Sequence, residues 1–167
     1  MGTWCRVRRR EMTKQVEFFW PEIEVKVSAT LLEEDEPELC ATLWSYLETP
    51  KKLICRHTLS TGCNFGCEGR PPRDPVKSGT QAQPLGRKHQ LLTRVKPGSV
   101  SYAIFGGYGG VGLFYGPCTE PLPTRGAIVG NVNEEDMNEL VRAGKAVWNS
   151  QYMTHRPMVM IARRRDR

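Results

Sequence analysis

Residues 101–121, SYAIFGGYGGVGLFYGPCTEP, constrain the fold more than any other stretch of the chain. Two short apolar runs, 100–105 and 111–115, flank the glycine pairs Gly106-Gly107 and Gly109-Gly110, and a polar exit follows through Thr119 and Glu120. Strand, glycine hinge, strand and acidic turn is the outline. Glycine accepts positive φ and lets another backbone or a ligand approach closely, so the paired glycines fit either a tight hairpin turn or a small-molecule surface. A phosphate loop does not fit, because no Gly-Lys-Ser/Thr follows and no helix opens after the glycines.

The flanking sequence supplies more strands. Residues 22–31 alternate strictly, with Ile23, Val25, Val27, Ala29 and Leu31 against Glu22, Glu24, Lys26, Ser28 and Thr30. This predicts a half-buried strand, with residues 16–20 as its hairpin partner, broken at Pro21. Asp35 lies three residues before Glu38 and Pro37 suits a first turn, so a capping box and a helix over 35–48 are expected, ended by Pro50. Leu39, Leu43, Trp44 and Leu47 form its apolar stripe. In residues 52–59, Leu53, Cys55 and His57 share one face of a strand and Ile54, Arg56 and Thr58 the other. Residues 60–90 are rich in Gly, Pro, Ser, Arg and Lys and read as one long surface loop, of the kind that serves as a lid, a binding loop or a disordered segment. Short strands are expected over 91–95, 127–132 and 158–162. A second helix over 133–150 is capped by Asn133 and striped by Met137, Leu140, Val141, Val147 and Trp148.

With 167 residues, the chain fits one domain: a basic arm over 1–14, a single domain over 15–163 and a basic tail over 164–167. The net charge of +6 comes largely from Arg6, Arg8, Arg9 and Arg10 at one end and Arg163, Arg164, Arg165 and Arg167 at the other. Such terminal clusters without interleaved aromatics are weak evidence for a nucleic-acid partner, since frayed, solvated ends explain them as well, and none is expected. Six cysteines without a preceding signal peptide imply reduced thiols in a cytoplasmic protein. No apolar run approaches the ~20 residues needed to cross a membrane.

The order of elements makes an α+β domain, mainly β, with an antiparallel sheet or small barrel capped by two helices. The segment VKVSATLLEEDEPELCATLW, a strand running into an acidic turn and an amphipathic helix, resembles the opening of cyclophilin-like barrels. The series from Glu22 to Arg163, with YGPCTEPLPTRG after the glycines, is similar to small cyclophilin-like proteins related to cucumopine synthase. The resemblance implies a closed eight-stranded barrel with two capping helices and a ligand site on the barrel or at its mouth. Prolyl isomerases of this fold use an arginine beside aromatics. Here the Phe-His-Arg run is absent and Arg56-His57 is only a partial echo. Cucumopine synthases join histidine to α-ketoglutarate and cyclise the product without metal or nucleotide. The resemblance therefore implies a cofactor-independent enzyme acting by acid/base chemistry on a small polar or carboxylate-bearing molecule. A non-catalytic peptide-binding module of the same fold is the alternative. A homo-oligomer is left open.

The chemistry must then fall to side chains at strand ends. His57 is a candidate general base, its alternative being a satisfied histidine at a strand end. Glu120 follows the central strand, and is either an acid/base group or a solvated turn carboxylate. His155 and Arg156 precede the last strand, where the pair could hold a carboxylate or form a plain turn before Pro157. Tyr102 joins the catalytic set. Arg56, Arg125, Arg156, Tyr108 and Phe114 are the expected substrate-binding residues. Cys63 and Cys67, with His57 upstream, could supply three zinc ligands, with Cys118 or His89 as the fourth, but structural zinc normally shows two complete ligand pairs, so two loop thiols are the default reading and no metal is expected.

Overall fold

Alternation in the first third of the chain folds as two antiparallel strands, β1 (Gln15–Trp20) and β2 (Val25–Leu31), with Trp20 opposite Val25 and Gln15 opposite Thr30. Val16, Phe18 and Trp20 turn inward with Val25, Val27 and Ala29, and all six are fully buried. The second strand starts three residues later than expected. Pro21 opens a single 3-10 turn, Pro21–Ile23, which closes on Glu24 at φ 52°. The computed structural model describes residues 12–73, 78–80 and 82–165. Arg6, Arg8, Arg9, Arg10 and Arg167 lie outside the described residues.

The remaining strands are β3 (Lys51–His57), β4 (Gly62–Gly69), β5 (Ser99–Phe105), β6 (Tyr108–Cys118), β7 (Ala127–Val132) and β8 (Met158–Arg164). All pair antiparallel and close in the order β1-β2-β7-β5-β6-β4-β3-β8. The closed eight-stranded antiparallel barrel with two helices, expected from the sequence, is the observed architecture. Closure removes the unpaired edges that an open sheet would present. Its seam joins β1 to β8, with Phe18 opposite Ala162. There Arg163 Nε donates to Glu17 at 2.7 Å. Arg164, assigned from sequence to a basic tail, ends β8, donates to the Trp44 carbonyl at 2.8 Å and lies over the Trp44 ring at 4.6 Å.

Two elements differ from expectation. Residues 60–90 are not one loop, because Gly62–Gly69 is a full strand of the barrel and the loop starts after it. Phe65 and Cys67 bury inward while Gly66 and Glu68 face out, so the composition looks loop-like although the alternation is that of a strand. Residues 91–95 form a 3-10 turn, Leu92–Arg94, instead of a strand. Leu92 and Val95 pack there into a small separate core with Phe114 and Ile128.

The helices are α1 (Pro37–Tyr46) and α2 (Met137–Tyr152). Leu39, Leu43 and Leu47 of the first stripe join the barrel core, and Trp44 packs at its margin. The expected capping box does not form. Asp35 takes Lys88 Nζ at 2.8 Å, and the Glu36 carboxylate, 2% exposed, accepts the backbone N–H groups of Lys88, at 3.1 Å, and of Arg87. Both acids hold a distant loop instead of closing the first turn. Asn133 likewise is no side-chain cap: its Oδ1 accepts the Thr30 hydroxyl at 2.9 Å, and a 3-10 turn, Glu134–Asp136, precedes α2. On α2, Gly144 lets the Tyr115 ring approach so closely that a Cβ would lie 2.3 Å from it. Among the described residues no helix is long and apolar enough to cross a membrane.

Candidate functional site

Alternation along β4 and β6 decides where a ligand can lie. Phe65, Cys67, Val111 and Leu113 fill the barrel, which leaves Gly66, Gly110 and Gly112 on the outer face. Gly66 pairs with Gly112, and Glu68 with Gly110. Glycine inside a strand forfeits packing and often marks the close approach of something else. A Cβ on Gly66 would meet nothing nearer than 3.9 Å. A Cβ on Gly112 would lie 2.4 Å from Ser101 Oγ and one on Gly110 2.8 Å from the Cys67 carbonyl oxygen, so Gly66 is the open point in the floor of a groove of about 740 Å³, bordered by Pro84, His89 and Leu92 from one loop and Leu122, Pro123 and Arg125 from another. The volume suits a drug-sized or smaller molecule. The hinge glycines therefore divide their roles. Gly106 and Gly107 form a two-residue turn between the paired Phe105 and Tyr108, with Gly107 at φ 94°, while Gly110 belongs to the floor.

A charged cluster occupies the groove. Glu68 Oε1 lies 3.0 Å from the Arg56 guanidinium and 3.6 Å from that of Arg125. Arg125 also lies over the Tyr108 ring at 5.8 Å. The Tyr108 hydroxyl is buried with no hydrogen-bond partner among the described residues, and burial raises its pKa against the pull of Arg125. A polar set adjoins: Asn64 Oδ1 accepts the hydroxyls of Thr58 and Thr61, each at 2.8 Å. A carboxylate between two guanidinium groups can receive a proton or bind an ammonium. The guanidinium forks can in turn bind a carboxylate brought by a ligand.

Of the substrate-binding residues expected from sequence, Arg56, Arg125, Tyr108 and Phe114 all line this groove, and Arg156 does not. Of the catalytic set only His57 borders it. His57 is 4% exposed and both ring nitrogens are engaged: Nδ1 with the Thr58 carbonyl at 2.7 Å, Nε2 with the Tyr115 hydroxyl at 2.6 Å. A carbonyl only accepts, so Nδ1 carries the hydrogen and Nε2 accepts from Tyr115. Burial lowers the His57 pKa. Tyr102 points into the barrel, 1% exposed, its hydroxyl without a partner among the described residues and its pKa raised by burial. Glu120 sits half-buried in the bend after β6, and His155 and Arg156 are exposed ahead of β8, His155 at φ 55°. Of His57, Glu120 and His155, only His57 borders the groove. No group of three or more potential metal ligands occurs among the described residues: Cys67 turns inward to Cys55, with sulfurs 2.8 Å apart, and His57 is held by Tyr115. Glu68 was missed because its strand was read as loop. The signal was the alternation from Asn64 to Glu68, with apolar Phe65 and Cys67 set against Asn64, Gly66 and Glu68.

A solved structure shares this architecture. McbB, determined in complex with tryptophan, superposes with a TM-score of 0.75 at 29% sequence identity, over 91% of this chain and 45% of the McbB chain. The present chain therefore spans less than half the length of that neighbour. No protein-family model matches the sequence. Comparison with curated proteins finds no match either.

Proposed function

We propose that the chain is a small-molecule enzyme whose groove binds an amino acid and joins it to a carbonyl compound in a cyclising condensation, the reaction type of the cucumopine synthases. The observation that carries this reading is the Glu68 carboxylate held between Arg56 and Arg125 beside the open floor at Gly66. The likeness to McbB in complex with tryptophan supports an aromatic amino acid as the substrate class.

In this reaction the substrate amine attacks the carbonyl carbon, a C=N bond forms and the carbonyl oxygen leaves as water. A ring carbon of the amino acid then bonds to the iminium carbon, and the C=N electron pair moves to nitrogen. The proton released from that ring carbon goes to Glu68. The sequence is redox-neutral, so proton transfer and charge placement suffice. Arg56 and Arg125 hold substrate carboxylates, while Glu68 stands beside them as the proton acceptor. His57 and Tyr115 stand behind the floor as positioning residues.

The test is incubation of the protein with tryptophan or histidine and an α-keto acid or aldehyde, read by mass spectrometry for a product equal to the sum of reactants less water. Binding is followed in parallel by thermal shift, since a ligand of the folded state stabilises in proportion to the logarithm of its excess over Kd. Product formed by wild type and lost in Glu68→Gln supports the reading. Absence of both product and amino-acid binding, with saturable binding of a prolyl peptide instead, would transfer the groove to the peptide-binding alternative, for which Phe114, Leu122 and Pro123 offer an apolar wall.

A further inference from the structure

We infer that the chain carries a second ligand site, for a small molecule bearing a phosphate or diphosphate group, in a separate pocket. This pocket measures about 600 Å³, is lined by residues 88–91 together with Arg94, Lys96, Ser99, Ile128 and Asn131, and shares only His89 with the groove. Its charge is one-sided. Lys88, Arg94 and Lys96 line it and no carboxylate does. Lys88 is paired to Asp35, outside the lining, whereas Arg94 and Lys96 form no ion pair among the described residues. Like charges gathered in a concavity repel one another, and the low-dielectric walls focus their potential, so the arrangement disfavours the empty state and favours an anion.

The cations stand on a fixed frame. Arg94 and Lys96 flank Val95, which with Leu92 is buried against Phe114 and Ile128. The Lys88 carbonyl accepts the Ile128 N–H at 2.9 Å, and the Lys96 carbonyl accepts the Ser99 N–H at 3.1 Å. Binding an anion therefore costs little backbone ordering. Ser99, 5% exposed, and Asn131 add a hydroxyl and an amide to the wall. A hydroxyl and an amide lining the same pocket as three cations match the oxygens of a phosphate group. A nucleic acid would need a basic stripe following its backbone, whereas here the cations converge within one pocket of small-molecule size.

The probe is inorganic pyrophosphate, measured by thermal shift and calorimetry with ionic strength held constant by sodium chloride. Saturable stabilisation is expected in wild type. In Arg94→Gln/Lys96→Gln, whose substituted residues are both exposed, Kd should rise roughly tenfold to a hundredfold for the loss of charged hydrogen bonds. Tryptophan binding in the groove, if present, should be the same in both proteins, so failure here and failure of the proposed activity are distinguishable. No saturable effect of pyrophosphate, or an equal effect in the double variant, overturns the inference. Binding of single-stranded RNA without binding of pyrophosphate overturns it also and makes this face a polyanion surface.

Discussion

Arg56 reaches Glu68 diagonally across β3 and β4, because the residue directly opposite Arg56 is Gly66 and the one opposite Glu68 is Ile54. The missing side chain at Gly66, between the two charges, bares the floor on which a ligand would lie. The ion pair and the open space beside it therefore meet at one glycine.

Glu68→Gln separates chemistry from stability. Glu68 is partly exposed and its partner Arg56 largely so, and ion pairs of that kind contribute little. Stability should change by no more than about 0.5 kcal/mol, while turnover should fall about 10²- to 10⁴-fold if Glu68 accepts the proton. Arg125→Gln should instead raise KM, because it removes ground-state binding of a carboxylate. Steady-state kinetics and a thermal melt on the same preparations check both outcomes.

Gly66→Ala and Gly126→Ala should part company. A methyl at Gly66 enters open space, so the melting temperature should hold or rise as the unfolded chain loses freedom. Ligand binding should weaken as the floor fills. At Gly126 a Cβ would lie 2.4 Å from the Tyr102 carbonyl oxygen and 2.9 Å from the Ala103 nitrogen, backbone atoms that cannot step aside. Overpacking of this kind costs about 1–3 kcal/mol, readable by chemical denaturation.

His57 gives stability a pH dependence of known sign. Its imidazole lies below the ordinary value of 6.5 in the folded protein because burial disfavours the charged form. In that window the unfolded chain binds the proton more readily, so stability rises with pH. The contribution is present above about pH 6.5 and is lost as the pH falls towards the folded value. The slope cannot exceed about 1.4 kcal/mol per pH unit for one proton. Denaturation series at successive pH values should show this slope in wild type and its loss in His57→Gln; parallel curves would assign the dependence elsewhere.

Glu36→Ala tests how the loop that borders the groove is held. The buried carboxylate accepts two backbone N–H groups, from Arg87 and Lys88, and its removal leaves both without an acceptor. Arg87 is exposed and Lys88 half-buried, so water partly replaces the lost acceptor and the cost for the pair should be about 1–3 kcal/mol. Hydrogen exchange at Arg87 and Lys88 should quicken well before the barrel strands are affected.

Much of the barrel was legible because a half-buried strand must alternate, as residues 22–31 and 52–57 do, and because 100–105 is a short apolar run beside turn residues. β4 was not legible, since its outward positions include Gly66, and glycine carries no strand preference of its own. The reason for that glycine lies in the site, not in the strand. Arg56, Arg125, Tyr108 and Phe114 could be picked out by residue type, but Glu68, their acidic partner, could not be found before its strand was. The acids ahead of α1 misled for a related reason. Asp35 and Glu38 have capping-box spacing, yet the carboxylates at this helix start serve contacts more than 50 residues away, which no local pattern encodes.

The seam between β1 and β8 has a consequence for synthesis. β8 fills the gap between β3 and β1, so the cylinder cannot close until Met158–Arg164 has left the ribosome. Until then the nascent chain holds two raw sheet margins, along Lys51–His57 and Gln15–Trp20, each able to recruit a foreign strand. Such contacts between distant parts of a chain form slowly. Chaperone dependence should therefore be concentrated in the interval before the final strand emerges, and a stop codon placed just ahead of Met158 should convert the product to aggregate.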